Sequence, residues 1–166
     1  MLTVIKKLLR KTANRFGYDL IKIKQTAVPF DLDNDIIDTY NKVKAYTMTS
    51  PERIASLCTA VRYITQNNIN GDIVECGVWK GGSSMAAIDT LIKAGDTKRS
   101  IYLYDTYEGM SKPTDKDKEF TGTSASYLLD NSTREDQASV WCVSSLDEVK
   151  NNMGSLKYPT ERIHYI

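Results

Sequence analysis

Apolar positions along this 166-residue chain alternate between helical spacing and short continuous runs. Leu2, Ile5, Leu8, Leu9 and Phe16 fall on one side of a helix, and the polar positions between them are rich in lysine and arginine. Ser50-Pro51-Glu52 is a helix start, with a cap, a proline at the first helical position and an early acid. Ile54, Leu57, Cys58, Val61 and Ile64 then hold helical spacing up to Asn67-Asn68. A brief run, Ile73-Val74, reads as a strand, and Met85, Ile88, Leu91 and Ile92 return to the helical period. Ile101 to Tyr104 reads as a second strand, residues 126–130 as a short helix, and residues 162–166 as a third strand. Before that strand, Ser145 with Glu148 forms a capping box for a helix through about Ser155. Strands alternating with helices predict an α/β fold on a parallel sheet.

Chemistry concentrates at residues 71–84, GDIVECGVWKGGSS. A strand ending at Glu75 runs into a turn with Gly77, Gly81 and Gly82, and Ser83 and Ser84 open the next helix. A helix N-terminus then points at whatever occupies the turn. Asp105 closes the second strand, where a carboxylate can accept hydrogen bonds from a ribose diol. The spacing differs from the dinucleotide G-x-G-x-x-G, because Trp79 stands where a second glycine lets the backbone approach a pyrophosphate. An acid at the end of the first strand suits an ammonium group better than a phosphate. S-adenosylmethionine is such a ligand: its amino group takes a carboxylate and its carboxylate takes helix N–H groups. Two other readings stay open on these residues. One is a nucleotide or nicotinamide Rossmann enzyme and the other a non-catalytic cofactor-binding or scaffold module; in a purely structural reading of the motif, Glu75 is buried and the glycines serve packing.

ECGVWKGGSS, the upstream AYTMTSPERI and the downstream YLYDTYEGMSKPTDKD together resemble the macrocin O-methyltransferase (TylF-like) family. The resemblance runs from about Tyr40 to Ile166. It implies a Rossmann-like class I methyltransferase fold with a doubly wound, mostly parallel sheet and N-terminal helices. It also implies S-adenosylmethionine as donor and the hydroxyl of a sugar or phenol as acceptor. Carried onto this chain, Met48 and Thr49 border the methionine end of the donor and Glu75 holds its amino group. The turn of Gly77, Val78, Trp79, Gly81, Gly82 and Ser83 receives the methionine portion. Asp105 takes the ribose, and Thr106 and Tyr107 surround the adenosine. Family members continue through further strands that carry the catalytic base and the carboxylate ligands of magnesium. Those residues are therefore expected beyond Ile166, with no catalytic or metal-ligating residue in this chain, which reads as truncated after about the third strand.

Composition changes this picture little. A formal net charge of +1 gives no global reason to expect a nucleic-acid partner. The charge is uneven, however: residues 1–24 hold seven basic residues against one acid, and the rest holds fifteen against twenty. The segment is read as a basic surface helix packed on the domain or on a second subunit, which leaves a homo-oligomer open, in preference to a membrane-surface helix. Its end sets a boundary between residues 1–39 and a donor-binding half-domain at 40–166. Cys58, Cys76 and Cys142 are odd in number and lack C-x-x-C spacing, so they read as reduced residues of a cytoplasmic protein. No apolar run reaches the ~20 residues of a membrane span.

Two other features receive structural readings. Asp115, Asp117 and Glu119 resemble the start of a calcium loop, but Phe120 occupies the turn position that needs glycine and Ser126 the place of a bidentate glutamate. The stretch 111–139 is read as a solvated loop long enough to cover a site. His164, the single histidine, is read as a sheet residue.

Overall fold

The computed structural model describes residues 12, 13, 15–18, 31–133 and 140–166. The predicted basic helix lies almost wholly outside the described residues, as do residues 134–139 of the long polar stretch. The elements run α1 (Asn34–Val43), α2 (Pro51–Gln66), β1 (Ile73–Cys76), α3 (Gly82–Lys93), β2 (Ile101–Tyr104), α4 (Ala125–Asp130), α5 (Leu146–Gly154), a 3₁₀ turn (Thr160–Arg162) and β3 (Ile163–Tyr165). α1 runs through position 39/40, where the sequence set a boundary, and packs with the rest. The three strands form one parallel sheet in the order β1-β2-β3. This is a partial Rossmann-like α/β fold.

Register explains the layering. Ile73 pairs with Ile101 and Ile101 with Ile163, so these side chains share one face. Right-handed crossovers that advance β1 to β2 to β3 place their connecting helices on one face of the sheet. That face is closed. Ile101 and Leu103 are fully buried against Met85, Ile88 and Leu91 of α3, and α2 adds Ile54, Cys58 and Val61 beyond. On the other face Val74 and Tyr104 remain exposed. The sheet is thus wound with helices on one face by the described residues. There His164 pairs with Tyr102 and stacks on its ring at a centroid distance of 4.6 Å, as a sheet residue does.

Local signals behave as their chemistry requires, with two shifts. Ser145 accepts the Glu148 N–H at 3.2 Å, but the Glu148 carboxylate turns to the Ser144 hydroxyl at 2.9 Å, so only half the capping box forms. Ser124, two residues upstream of the predicted start, caps α4 by accepting the Tyr127 N–H at 3.2 Å. In the polar stretch, Asp117 accepts the Thr114 N–H and hydroxyl at 2.7 and 2.8 Å, and Glu119 accepts from Thr121. These acids cap their own turns.

α3 is buried nearly all round, and one ion cluster fixes its rotation. The Asp89 carboxylate accepts from Thr39 Oγ1 at 2.7 Å and Lys42 Nζ at 2.6 Å, and lies 2.9 Å from Lys93 Nζ. Burial pushes Asp89 upward, but the hydrogen bonds from Lys42, Thr39 and Lys93 outweigh it and hold the carboxyl below its ordinary range. A depressed folded value contributes stability above the unfolded pKa and loses it as pH falls through the folded one. Asp89→Asn should therefore cost about 1–3 kcal/mol near neutral pH. In paired urea titrations the gap between variant and wild type should narrow as pH drops below the carboxylate range; a pH-independent gap would show that the charge is irrelevant.

Candidate functional site

The site grows from the carboxyl end of the sheet. Past the β1–β2 ladder, the Gly77 N–H donates to Tyr104 O at 2.9 Å, so the turn after β1 stays tied to the end of β2. The chain then reverses through left-handed conformations at Gly77 (φ 86°), Trp79 (φ 49°) and Gly81 (φ 88°). Glycine takes this region freely; a tryptophan there is strained by about 1–3 kcal/mol and persists only where its surroundings hold it. Gly81 caps α3, and the Gly82 N–H donates to Tyr46 O at 2.9 Å, which ties the loop before α2 to the start of α3.

Asp105 supplies the hold. It stands one residue past β2, and its Oδ2 accepts the Val78 N–H at 2.6 Å and the Trp79 N–H at 3.0 Å. Its Oδ1 accepts the Tyr107 N–H at 3.0 Å. Burial raises its pKa, but the N–H groups of Tyr107, Trp79, Val78 and Thr106 prevail, so the carboxyl is held below its ordinary range. Oδ2 thus accepts two backbone N–H groups on a single oxygen.

Glu75 is placed within β1 rather than at its end, one residue before the strand finishes. Its carboxylate accepts from Ser84 Oγ at the first turn of α3. Burial pushes Glu75 upward; the hydroxyls of Ser84 and Ser83 and the Ser84 N–H oppose this, and the nearby Asp105 charge reinforces it. The net effect is a raised pKa. The site thus holds two carboxylates, one firmly ionised and one reluctant to ionise.

These groups face a cavity of about 530 Å³. Of the residues read from the sequence, Met48, Thr49, Glu75, Gly77, Val78, Trp79, Gly82, Ser83, Asp105 and Thr106 line it. Gly81 and Tyr107 stand behind it instead. An added Cβ at Gly81 would strike the end of the Met153 side chain. Tyr107 packs on the core and donates its hydroxyl to Leu103 O at 2.9 Å; burial, then the Asp105 charge, pushes that phenol up to about 12. Sequence reading missed Tyr46, Thr47, Gly109, Met110, Ser111 and Cys142, which complete the lining. Tyr46 and Thr47 sit inside the AYTMTSPERI motif and were legible there. Gly109 to Ser111 sit inside the EGMS motif. Cys142 carried no local signal: a long-range hydrogen bond, from the Met110 N–H to Trp141 O at 2.8 Å, helps bring its segment to the mouth.

The arrangement inverts a phosphate loop. Four N–H groups that such a loop would aim at an anion are already engaged: Val78 and Trp79 on Asp105, Gly82 on Tyr46 O, and Ser84 on Glu75. None of the described lining residues is basic. The cavity therefore favours a ligand with positive charge and hydroxyl groups over a diphosphate.

Comparison with known proteins gives this geometry relatives. A 66-residue segment is 39% identical to the 8-demethyl-8-(2,3-dimethoxy-alpha-L-rhamnosyl)-tetracenomycin-C 4'-O-methyltransferase of Streptomyces olivaceus, covering 40% of this chain and 25% of the relative. A 74-residue segment is 34% identical to mycinamicin III 3''-O-methyltransferase of Micromonospora griseorubida, covering 44% and 29%. A third, of 67 residues, is 31% identical to demethyldecarbamoylnovobiocin O-methyltransferase of Streptomyces niveus, covering 40% and 25%. The matched segments thus span little more than a quarter of the curated relatives. The solved structure of the O-methyltransferase NovP superposes with a TM-score of 0.52 at 21% identity, over 72% of this chain and 46% of that one, which shows a shared fold. The family model for macrocin O-methyltransferase (TylF) matches residues 3–160, and the chain belongs to that family.

Proposed function

We propose that the cavity is the methyl-donor site of an O-methyltransferase that acts on a sugar or phenol hydroxyl of a small natural product, with S-adenosylmethionine as donor. The observation that carries this reading is the pair Glu75 and Asp105, around which the turn's N–H groups are already folded. Such a site repels a pyrophosphate and welcomes a ligand that is cationic at two places. When bound, the donor supplies an electrophilic methyl group on a sulfonium. The residues of this chain bind and orient it. Glu75 offers its remaining acceptor capacity to the ammonium group, and the Asp105 carboxylate, which lines the cavity, faces the ribose diol. Ser83, at the first turn of α3, faces the carboxylate end, and Met48 and Thr49 form the wall beside it. Among the described residues no three His, Cys, Asp or Glu side chains converge as a metal site. No helix among the described residues is long and apolar enough to cross a membrane. A reducing cytoplasmic setting fits Cys58, Cys76 and Cys142, none of which is joined in a disulfide.

Calorimetric titration should show S-adenosylmethionine or its demethylated product binding at least tenfold more tightly than NAD. Tighter NAD binding would sink the donor reading and favour a nicotinamide enzyme.

Glu75→Gln separates binding from folding. Because the folded pKa of Glu75 is raised, its contribution to stability is complete below the unfolded value and is lost as pH rises through the folded one. The variant should therefore melt above wild type near neutral pH, with the two converging in acid. It should also bind the donor about tenfold more weakly, for loss of a charge-assisted bond worth ~1.5–3 kcal/mol. A variant that melts no higher and binds equally well would remove Glu75 from the site.

Asp105→Ala should raise the donor's Kd at least tenfold, because it deletes both the ribose acceptor and the support under Val78 and Trp79. An unchanged Kd would reduce Asp105 to a strand cap.

A further inference from the structure

The turn is gripped from a second side, by an element that does not line the cavity. Asn152 of α5 donates from Nδ2 to Lys80 O at 2.9 Å. The Lys80 ammonium lies 3.6 Å from Glu148 Oε1, also on α5, with the lysine side chain only 13% exposed. The same ammonium sits 5.2 Å from the centre of the Trp79 ring. Met153 lies under Gly81, where the absence of a Cβ makes room for it. One face of α5 therefore meets two consecutive residues of the turn, Lys80 and Gly81, and the residues that flank Lys80, Trp79 and Gly81, have positive φ.

These contacts complete what Asp105 begins. Asp105 holds the N–H groups of Val78 and Trp79; the Lys80–Gly81 peptide lies beyond that contact, with its N–H on Val78 O at 2.9 Å and its carbonyl, that of Lys80, on Asn152. A left-handed tryptophan persists only where its surroundings over-determine it, and the hydrogen bond from Asn152 supplies the second constraint. We propose that Asn152 is a positioning residue for methyl-donor binding, holding the Lys80–Gly81 peptide next to Trp79 from outside the cavity, with Glu148 as the charged partner of Lys80. The proposal rests on the donor reading above for its ligand, but not for its geometry.

α5 is also linked to the mouth. The Ser144 hydroxyl donates to Glu148 Oε2 at 2.9 Å, and the segment before it carries Trp141 O, which accepts the Met110 N–H at 2.8 Å. Met110 and Cys142 both line the cavity. The mouth and the floor of the site thus meet on one helix.

The test uses the full chain with 5-fluorotryptophan, which reports separately on Trp79 and Trp141, the two tryptophans present. Asn152→Ala removes the donor, and Asn152→Asp removes it while keeping the size. Both should move or broaden the ligand-free Trp79 fluorine resonance, leave that of Trp141 in place, and weaken S-adenosylmethionine two- to tenfold, the equivalent of one lost hydrogen bond. Glu148→Gln should give the same pattern more weakly, and decides the matter if neither Asn152 variant folds. A Trp79 resonance that stays put, or one that moves with no change in affinity, overturns the proposal. If wild type itself fails to bind S-adenosylmethionine, the donor reading fails, and the Trp79 resonance alone then decides: a shift in Asn152→Asp supports the hold and its absence overturns it.

Discussion

The site depends on one contact, the Asp105 carboxylate under the N–H groups of Val78 and Trp79. Its position follows from the sheet. Parallel pairing matches Cys76 with Tyr104, and the Gly77 N–H extends the ladder by one bond to Tyr104 O. Asp105 is the next residue, so its side chain meets the turn where the strands release the backbone. A charge-assisted bond to a backbone N–H is roughly twice as strong as a neutral one, and two of them converge on one oxygen. One of the two N–H groups belongs to the tryptophan held at φ 49°. The twist of the turn and the direction of α3 follow from this grip.

The same contact decides what the cavity can accept. A glycine-rich turn ahead of a helix is ordinarily an anion site, since orphan N–H groups and the helix dipole both favour negative charge. Here the chain supplies its own anions. Glu75 occupies the N-terminus of α3 through Ser84, and Asp105 occupies the turn. The familiar outline of strand, glycine turn and helix is thus retained with its electrostatic sign reversed.

Much of this could be read from the residues. β2 lies where its apolar run placed it, and α2 and α3 follow their helical spacing. Ten cavity residues came from the glycine turn, Asp105 with Thr106, and the pair before Ser50. What escaped depends on contacts remote in sequence. Gly81 belongs by sequence to the ligand-facing turn, but its freedom serves Met153, seventy-two positions later. Tyr107 follows Asp105 into the motif and then turns its side chain into the core, because its hydroxyl finds Leu103 O. Cys142 and Asn152 reach the site through backbone partners remote in sequence, Met110 N–H on Trp141 O and Lys80 O on Asn152, and no local pattern announces such partners.

Two carboxylates in one partly buried cavity leave the ligand-free protein with an unresolved charge. Asp105 is quieted by its N–H donors, whereas Glu75 keeps a raised pKa because burial and the Asp105 charge outweigh Ser83 and Ser84. A cationic ligand would remove that tension by supplying the counter-charge the fold withholds. Its binding free energy would then include relief of a cost built into folding, and ligand and proton would compete for the same carboxylate. Replacing Glu75 with a neutral residue would relieve the same cost without a ligand. A more stable protein with a poorer site is the expected consequence of an acid placed for binding, since a purely structural acid would be better left out.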